Sequence, residues 1–193
     1  MRILSIDFDY FIDTDLDTRN NHFPDGSDNI DPEVLAKQWE DHYKAYPQLK
    51  DIGVIKSYNE LVEHIRKGDY YLEDNKFIAD SHGEIYNILK NIPEHESIEI
   101  VNVDFHHDYY HYFSHDNDLN CGNWVRKLYE NRNDAKITWC KRSDSDIRTL
   151  DGQFPHTITD NITSLLDREY DIIFLCLSPE WTPPHLYELF HIL

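Results

Sequence analysis

The sequence is poor in glycine, cysteine and long apolar runs, and each shortage argues against a class of protein. Six glycines in 193 residues argue against a glycine-rich nucleotide-binding fold. The three cysteines, Cys121, Cys140 and Cys176, form no C-x-x-C pair, so we expect a reducing compartment, no structural disulfide and no thiolate zinc site. The longest apolar run, residues 172–177, is far too short to span a bilayer. The N-terminus shows no cleavable apolar segment, so a cytoplasmic location is expected.

Basic residues are also scarce: 18 lysines and arginines stand against 37 acidic residues, for a formal net charge of −19. Phosphate groups are bound by basic patches, so nucleic acid and anionic membranes are poor partners for this chain. A cationic substrate or a metal ion suits such a field better. The alternative is that most of these carboxylates only keep the surface soluble.

Apolar runs rich in β-branched or aromatic residues predict strands at residues 3–8, 98–105 and 172–177, with a weaker one at 135–140. Helical patterns lie between them. We therefore expect one α/β domain over residues 1–193, a three-layer α-β-α fold with a mostly parallel sheet. Sheets of this type bind ligands beyond the carboxyl ends of their strands.

Helix-start signals occur at Asp31-Pro32 and at two predicted capping boxes, Ser57-x-x-Glu60 and Ser81-x-x-Glu84. Weaker helical patterns cover residues 122–129, 161–167 and 184–192. The polar segment 13–30 has few helix or strand signals and is predicted to be a long surface loop near the same edge of the sheet.

The strongest chemical signal is Asp104-x-His106-x-Asp108, which directly follows an apolar run. If the strand continues through it, these three side chains project to one side, and Phe105 and His107 to the other. Three such side chains at a strand end predict half of a metal site. The alternative is a polar strand terminus with carboxylates used in turns.

Two further signals follow other elements. Asp7 and Asp9 end the first predicted strand, and the same alternation places them on one face, where they would repel each other without a cation or a proton. This pair alone fits a strand-end cap equally well. His82 lies in the first turn of a predicted helix, where a lone histidine is more often structural.

Together these positions supply four carboxylates and two imidazoles. Oxygen-rich ligation with a nitrogen minority suits Mn²⁺, with Fe²⁺ and Co²⁺ as alternatives. Six protein ligands are more than a single ion can use if it must keep one coordination position open. Two ions bridged by carboxylates would use all six. The predicted ligands are Asp7, Asp9, His82, Asp104, His106 and Asp108.

These motifs resemble those of the arginase and ureohydrolase superfamily. Asp104-x-His106-x-Asp108 resembles its D-x-H-x-D motif, Ser5-x-Asp7-x-Asp9 its S-x-D-x-D motif, and Asp80-Ser81-His82 its G-G-D-H segment without the glycines. The order differs, because S-x-D-x-D comes last in that family and first here. The resemblance therefore implies an arginase-like fold with a rearranged strand order.

The stretches Asn120–Trp124 and Ser178–Pro183, written N-C-G-N-W and S-P-E-W-T-P, look closer to a compact branch that includes the peptide arginases of ribosomal-peptide biosynthesis. The resemblance spans residues 3–184. It implies a two-Mn²⁺ hydrolase that converts arginine in a precursor peptide to ornithine and urea, with the oligomeric state left open. It also makes Glu180 the anchor of the guanidinium group. Asp108 is expected to act in catalysis as well as to bind metal, and His107, His111 and His115 are possible proton shuttles.

Two alternatives remain at this stage. Asp7-x-Asp9 after a strand also matches the nucleophile motif of haloacid-dehalogenase-like phosphatases, although Tyr10 and Phe11 replace the usual small residue. A noncatalytic acidic module that binds metal or cations is the other. Asp13-x-Asp15-x-Asp17 hints at calcium but lacks the glycine and the final glutamate of an EF-hand loop.

Overall fold

The computed structural model describes residues 1–24, 30–67, 75–110, 118–147, 150 and 157–193. Six strands in these residues form one sheet in the order β2-β6-β1-β3-β4-β5, and every neighbouring pair is parallel. The strands are β1 (Arg2–Asp7), β2 (Lys76–Ala79), β3 (Glu99–Val103), β4 (Lys136–Cys140), β5 (Thr157–Thr159) and β6 (Ile172–Cys176).

Helices of the described residues lie between these strands and after the last of them. They are α1 (Leu16–His22), α2 (Pro32–Ala45), α3 (Ser57–Lys67), α4 (Ile85–Leu89), α5 (Trp124–Asn131), α6 (Thr163–Leu166) and α7 (Tyr187–His191). Short 3₁₀ helices cover Phe8–Phe11, Pro47–Asp51, His82–Glu84 and Pro184–Leu186. None of the described helices combines the length and the apolar character that a membrane crossing requires.

Helices cover both faces of the sheet. Because strand side chains alternate, Leu4 and Ile6 of β1 pack with α2, α3, α6 and α7 on one face. Ile3 packs with α4 and α5 on the other face. The predicted three-layer α/β fold with a parallel sheet is confirmed.

The four predicted strands are β1, β3, β4 and β6, and three of them end one or two residues earlier than predicted. The sequence did not reveal β2 and β5, which are the two edge strands. Both are short, and their large apolar residues stay largely exposed: Ile78 is 62% exposed and Ile158 is 41% exposed, while Ala79 is the apolar residue of β2 that enters the core. A strand that buries so little apolar surface leaves no clear apolar pattern in the sequence.

The prediction for residues 13–30 is wrong, because helix α1 lies within this segment. Asp15 caps it by accepting the backbone N–H of Thr18. The helix was missed because the side chain that it buries is Arg19, so it carries no apolar stripe. Residues 25–29 lie outside the described part of the chain.

The other helix starts are only partly as predicted. Asp31 caps α2 and accepts the N–H groups of Glu33 and Val34, as expected. The capping box at Ser57 is not formed, since α3 begins at that residue and its buried hydroxyl has no hydrogen-bond partner in the described chain. Ser81 does act as a cap, for the 3₁₀ turn that precedes α4.

All six described strands point the same way, so their carboxyl ends meet at one edge of the sheet. After β1 the chain crosses to β2, which lies on the β6 side of β1, and it then returns to β3 on the opposite side of β1. Because the order of the strands reverses between β1 and β3, a crevice is expected beyond the ends of these two strands, which is where open parallel sheets bind ligands.

Candidate metal centre

Five of the six predicted ligands meet at this crevice. They form two groups, and one carboxylate belongs to both groups. Asp7, His82 and Asp104 form the first group, and Asp9, Asp104 and His106 the second. Within each group the ligand atoms lie within 4.8 Å of one another. Each of these groups could hold a metal ion, and Asp104 is a member of both.

In the first group the His82 ring points its Nδ1 atom at the carboxylates. Nδ1 lies 3.0 Å from Oδ2 of Asp104 and 3.4 Å from Oδ2 of Asp7. The ring is oriented by Ser5, whose hydroxyl lies 2.7 Å from Nε2. Gly83 lets the turn approach the neighbouring chain, because a Cβ there would lie 2.9 Å from the carbonyl carbon of Asn120.

In the second group His106 Nδ1 lies 2.9 Å from Oδ2 of Asp9 and 3.9 Å from Oδ1 of Asp104. Asp104 Oδ1 also accepts the backbone N–H of His106 at 2.7 Å, which fixes the carboxylate against its own turn. The His106 side chain is 21% exposed, whereas those of Asp9 and Asp104 are at most 1% exposed. This imidazole is therefore the most accessible part of the second group.

Asp108 belongs to neither group, although it touches the first. Its Oδ2 lies 3.0 Å from Nδ1 of His82 and accepts the indole N–H of Trp124 at 2.6 Å. Strand β3 ends at Val103, and Asp108 has a positive φ of 51°, so a turn and not strand alternation brings the motif together. Its roles in metal binding and catalysis stay predictions.

The remaining predicted catalytic residues lie outside these groups. His107 is fully buried, its Nδ1 accepts the N–H of Tyr109, and its ring packs against Tyr110 and Trp139. Glu180 lines a neighbouring cavity that none of the six predicted ligands lines. The proton-shuttle role of His107 and the anchor role of Glu180 stay predictions, and His111 and His115 lie outside the described residues.

Burial and mutual repulsion perturb the carboxylates of both groups. Burial and the charge of Asp9 raise the pKa of Asp7 to about 6, and burial and the charge of Asp108 raise the pKa of Asp104 to about 8. Burial would also raise the pKa of Asp9, but the neighbouring His106 and Arg19 outweigh it and lower that pKa.

The imidazoles respond in the opposite sense. Burial alone would lower the pKa of His106, but the Asp9 carboxylate outweighs burial and raises it to about 9. The carboxylates around His82, that of Asp104 foremost, likewise overcome burial and raise its pKa well above the usual value. The site thus favours positive charge at these positions.

Several polar atoms at the centre lack hydrogen bonds. Among the described residues, Oδ2 of Asp9, Nδ1 of His82 and Oδ2 of Asp104 are buried without a hydrogen-bond partner. They lie at ion-pair distance from neighbouring ligand atoms but are not aligned for hydrogen bonding. Buried polar groups are rarely left unsatisfied, so a cation between them fits this donor set.

Two residues that hold ligands in place, Arg19 and Ser178, are not predicted by the sequence. Arg19 is fully buried, donates to the backbone carbonyl of Asp9 at 2.7 Å and lies 3.6 Å from its carboxylate. Its guanidinium also stacks 4.0 Å from the centroid of the Phe105 ring. Ser178 donates its hydroxyl to Oδ2 of Asp7 at 2.5 Å. A lone arginine in a polar segment and a serine after a strand carry no sequence signal of these contacts.

The shared position of Asp104 predicts how metal binding responds to substitution. Asp104→Asn should weaken Mn²⁺ binding at both groups, and by more than the 10- to 100-fold loss that is typical when an outer-shell partner is removed. Asp9→Asn should weaken Mn²⁺ binding at the second group only. Calorimetric titration and metal analysis of the purified variants measure this. Asp41→Asn, an exposed carboxylate on α2, is the control, and Asp104→Asn binding like it would contradict the arrangement.

The raised pKa values predict a pH dependence of metal affinity. A proton on Asp7, Asp104 or His106 must leave before that group binds metal, and their pKa values reach about 6, 8 and 9. The affinity for Mn²⁺ should therefore keep rising from pH 6 to about pH 9, with protons released on binding. Anaerobic calorimetry in buffers of different ionisation enthalpy tests this; an affinity that is constant above pH 7 would argue against it.

The buried contact of Arg19 with Asp9 predicts a large effect on stability. Arg19→Met should lower the free energy of unfolding of the metal-free protein by about 3–5 kcal/mol, because it removes one of the two cations beside the buried Asp9 carboxylate and the donor to the carbonyls of Asp9 and Ile12. Arg19→Lys should cost less, since the charge remains while the planar fork is lost. Urea unfolding measures both. The exposed Arg66→Met is the control, and equal stability of Arg19→Met and Arg66→Met would refute the role.

Comparison with known proteins identifies no family for this chain. No match to it is found among protein-family models, curated proteins or solved structures. The likeness to ureohydrolases rests on the motifs alone.

Proposed function

We propose that this protein is a two-metal hydrolase that converts arginine within a peptide to ornithine and urea, with Mn²⁺ as its metal. The observation that carries the proposal is the pair of buried ligand groups joined by Asp104. A carboxylate common to two adjoining groups suits a pair of ions roughly 3.5–4 Å apart. Three carboxylates and two imidazoles are a donor set that suits Mn²⁺.

The two ions, when bound, would supply a nucleophile from water near neutral pH. The chain itself supplies the orientation of the ligands: Ser5 holds His82, Ser178 holds Asp7 and Arg19 holds Asp9. In the overall reaction the oxygen of water stays with the guanidinium carbon as urea. The C–N bond to the side chain breaks, and its nitrogen gains protons to become the amine of ornithine.

The accessible side of the second group suits a cationic, planar substrate. The indole of Trp181 lies 4.8 Å from the His106 ring between ring centroids, and both side chains are partly exposed. An aromatic face beside carboxylates attracts a guanidinium group by cation–π and charge interactions. The net charge of −19 would draw a basic peptide toward this edge, an effect that weakens with salt.

The proposal predicts a defined product. Incubation of the Mn²⁺-loaded protein with an arginine-containing peptide should give urea and a peptide lighter by the mass of cyanamide, as read by mass spectrometry. The matching lysine peptide and the EDTA-treated protein are controls. Asp104→Ala should abolish turnover more completely than His82→Ala, because Asp104 serves both groups. Hydrolysis of phosphate monoesters without urea release would instead support the phosphatase alternative with Asp7 as nucleophile.

The peptide assignment is tested separately from the chemistry. Free arginine, agmatine and an arginine-containing peptide should be compared in one assay of urea release. We expect the peptide to give the highest kcat/KM. A higher value for free arginine would refute the peptide substrate while leaving the two-metal hydrolysis intact.

A further inference from the structure

A second feature of this edge is a cavity of about 400 Å³ beside the metal centre. It lies between helix α2, the turn that follows β2 and the loop that follows β6. Its volume falls within the range of ordinary ligand sites, about 300–1,000 Å³. The groups that define its chemistry are Leu35, Trp39, Asp80, Glu84, Glu180 and Tyr187.

The charged side chains among the described residues that line the cavity are all acidic. Glu180 is only 6% exposed, while Asp80 and Glu84 are exposed carboxylates of the turn after β2. The described residues that line the cavity include no lysine, arginine or histidine. Burial raises the pKa of Tyr187, and the charges of Glu180 and Asp80 raise it further, which places a negative potential at its hydroxyl.

Aromatic and aliphatic side chains form the other part of the wall. Trp39 is 1% exposed, and its indole N–H donates to the carbonyl of Pro179 at 2.9 Å. The Tyr187 hydroxyl donates to the same carbonyl at 3.4 Å. Both contacts fix the loop immediately before Glu180. Aromatic faces and the apolar Leu35 suit an aliphatic stem, and the carboxylates suit a cationic end.

The loop after β6 separates this cavity from the metal centre. Ser178 binds Asp7, Trp181 packs on His106, and Glu180 between them lines the cavity. None of the six predicted metal ligands lines it. An occupant of the cavity is therefore a different group from the one that meets the ligands.

We propose that this cavity is a binding site for an organic cation, an alkylammonium or alkylguanidinium group on an aliphatic stem. Binding of such a cation does not depend on the proposed hydrolysis. The identity of the cation does rest on the proposed function: we take it to be a second basic side chain of the peptide substrate, beside the arginine that reacts. A free small amine presents the same chemistry, and the experiment distinguishes the two sources.

Direct binding tests the cavity with a probe that the protein cannot hydrolyse. n-Butylammonium should bind saturably to the Mn²⁺-loaded and the EDTA-treated protein, as measured by calorimetry and by the NMR signal of the Trp39 indole, assigned with Trp39→Phe. Glu180→Gln should weaken binding at least tenfold, and the exposed Glu84→Gln a few-fold. Glu130→Gln, an exposed carboxylate on α5, should leave it unchanged, and n-butanol should not bind.

Two patterns of binding among the variants would overturn the inference. One is binding that is equal in wild type, Glu180→Gln and Glu84→Gln. The other is binding that is lost in Asp104→Asn but kept in Glu180→Gln, because the ligand cluster itself would then be the cation site. Absence of urea from every peptide, with n-butylammonium still bound through Glu180, would refute the proposed function alone. Hydrolysis without n-butylammonium binding would refute this inference alone.

A comparison of two peptides distinguishes a cation that belongs to the substrate from a free amine. Two arginine peptides should differ only in one neighbouring residue, lysine in the first and norleucine in the second. A lower KM for the lysine peptide that disappears in Glu180→Gln supports a second side chain of the substrate. Equal KM values, with n-butylammonium binding intact, overturn that source and assign the cavity to a free amine.

Discussion

The burial of four carboxylates at one edge of the sheet is the constraint on which the rest of this region depends. Asp7, Asp9, Asp104 and Asp108 are each at most 4% exposed. Charges taken out of water are costly unless other charges and hydrogen bonds compensate. Much of the surrounding structure meets this demand: the buried Arg19 lies against one carboxylate, and the imidazoles of the two ligand groups lie against all four.

The parallel sheet makes this concentration of charge possible. Strands β1 and β3 are neighbours, and both end at the same edge, so the residues that follow them meet without a long connection. The turn before α4 brings His82 to the same point from the far side of β6, since β2 pairs with β6 and runs in the same direction. Each ligand thus comes from a strand end, where a rigid scaffold limits its movement.

The loop after β6 lies between the candidate metal centre and the cavity beside it. Three of its residues face different neighbours, with Ser178 on Asp7, Trp181 on His106 and Glu180 in the cavity. A cation in the cavity would therefore be one loop away from the accessible side of the second ligand group. A substrate with two basic groups, as proposed above, would need a cation site at this position.

The sequence by itself determined the α/β class, the four inner strands and the positions of the candidate ligands, because buried strands and the polar residues that follow them leave local patterns. It could not show the edge strands, whose large apolar residues stay largely exposed, or helix α1, whose buried side chain is Arg19. Only the tertiary structure decided that Asp104 is shared by both groups, that Asp108 sits on His82 through a turn, and that Glu180 lines a separate cavity. These outcomes depend on contacts between residues that are distant in the chain, and no local periodicity encodes such contacts.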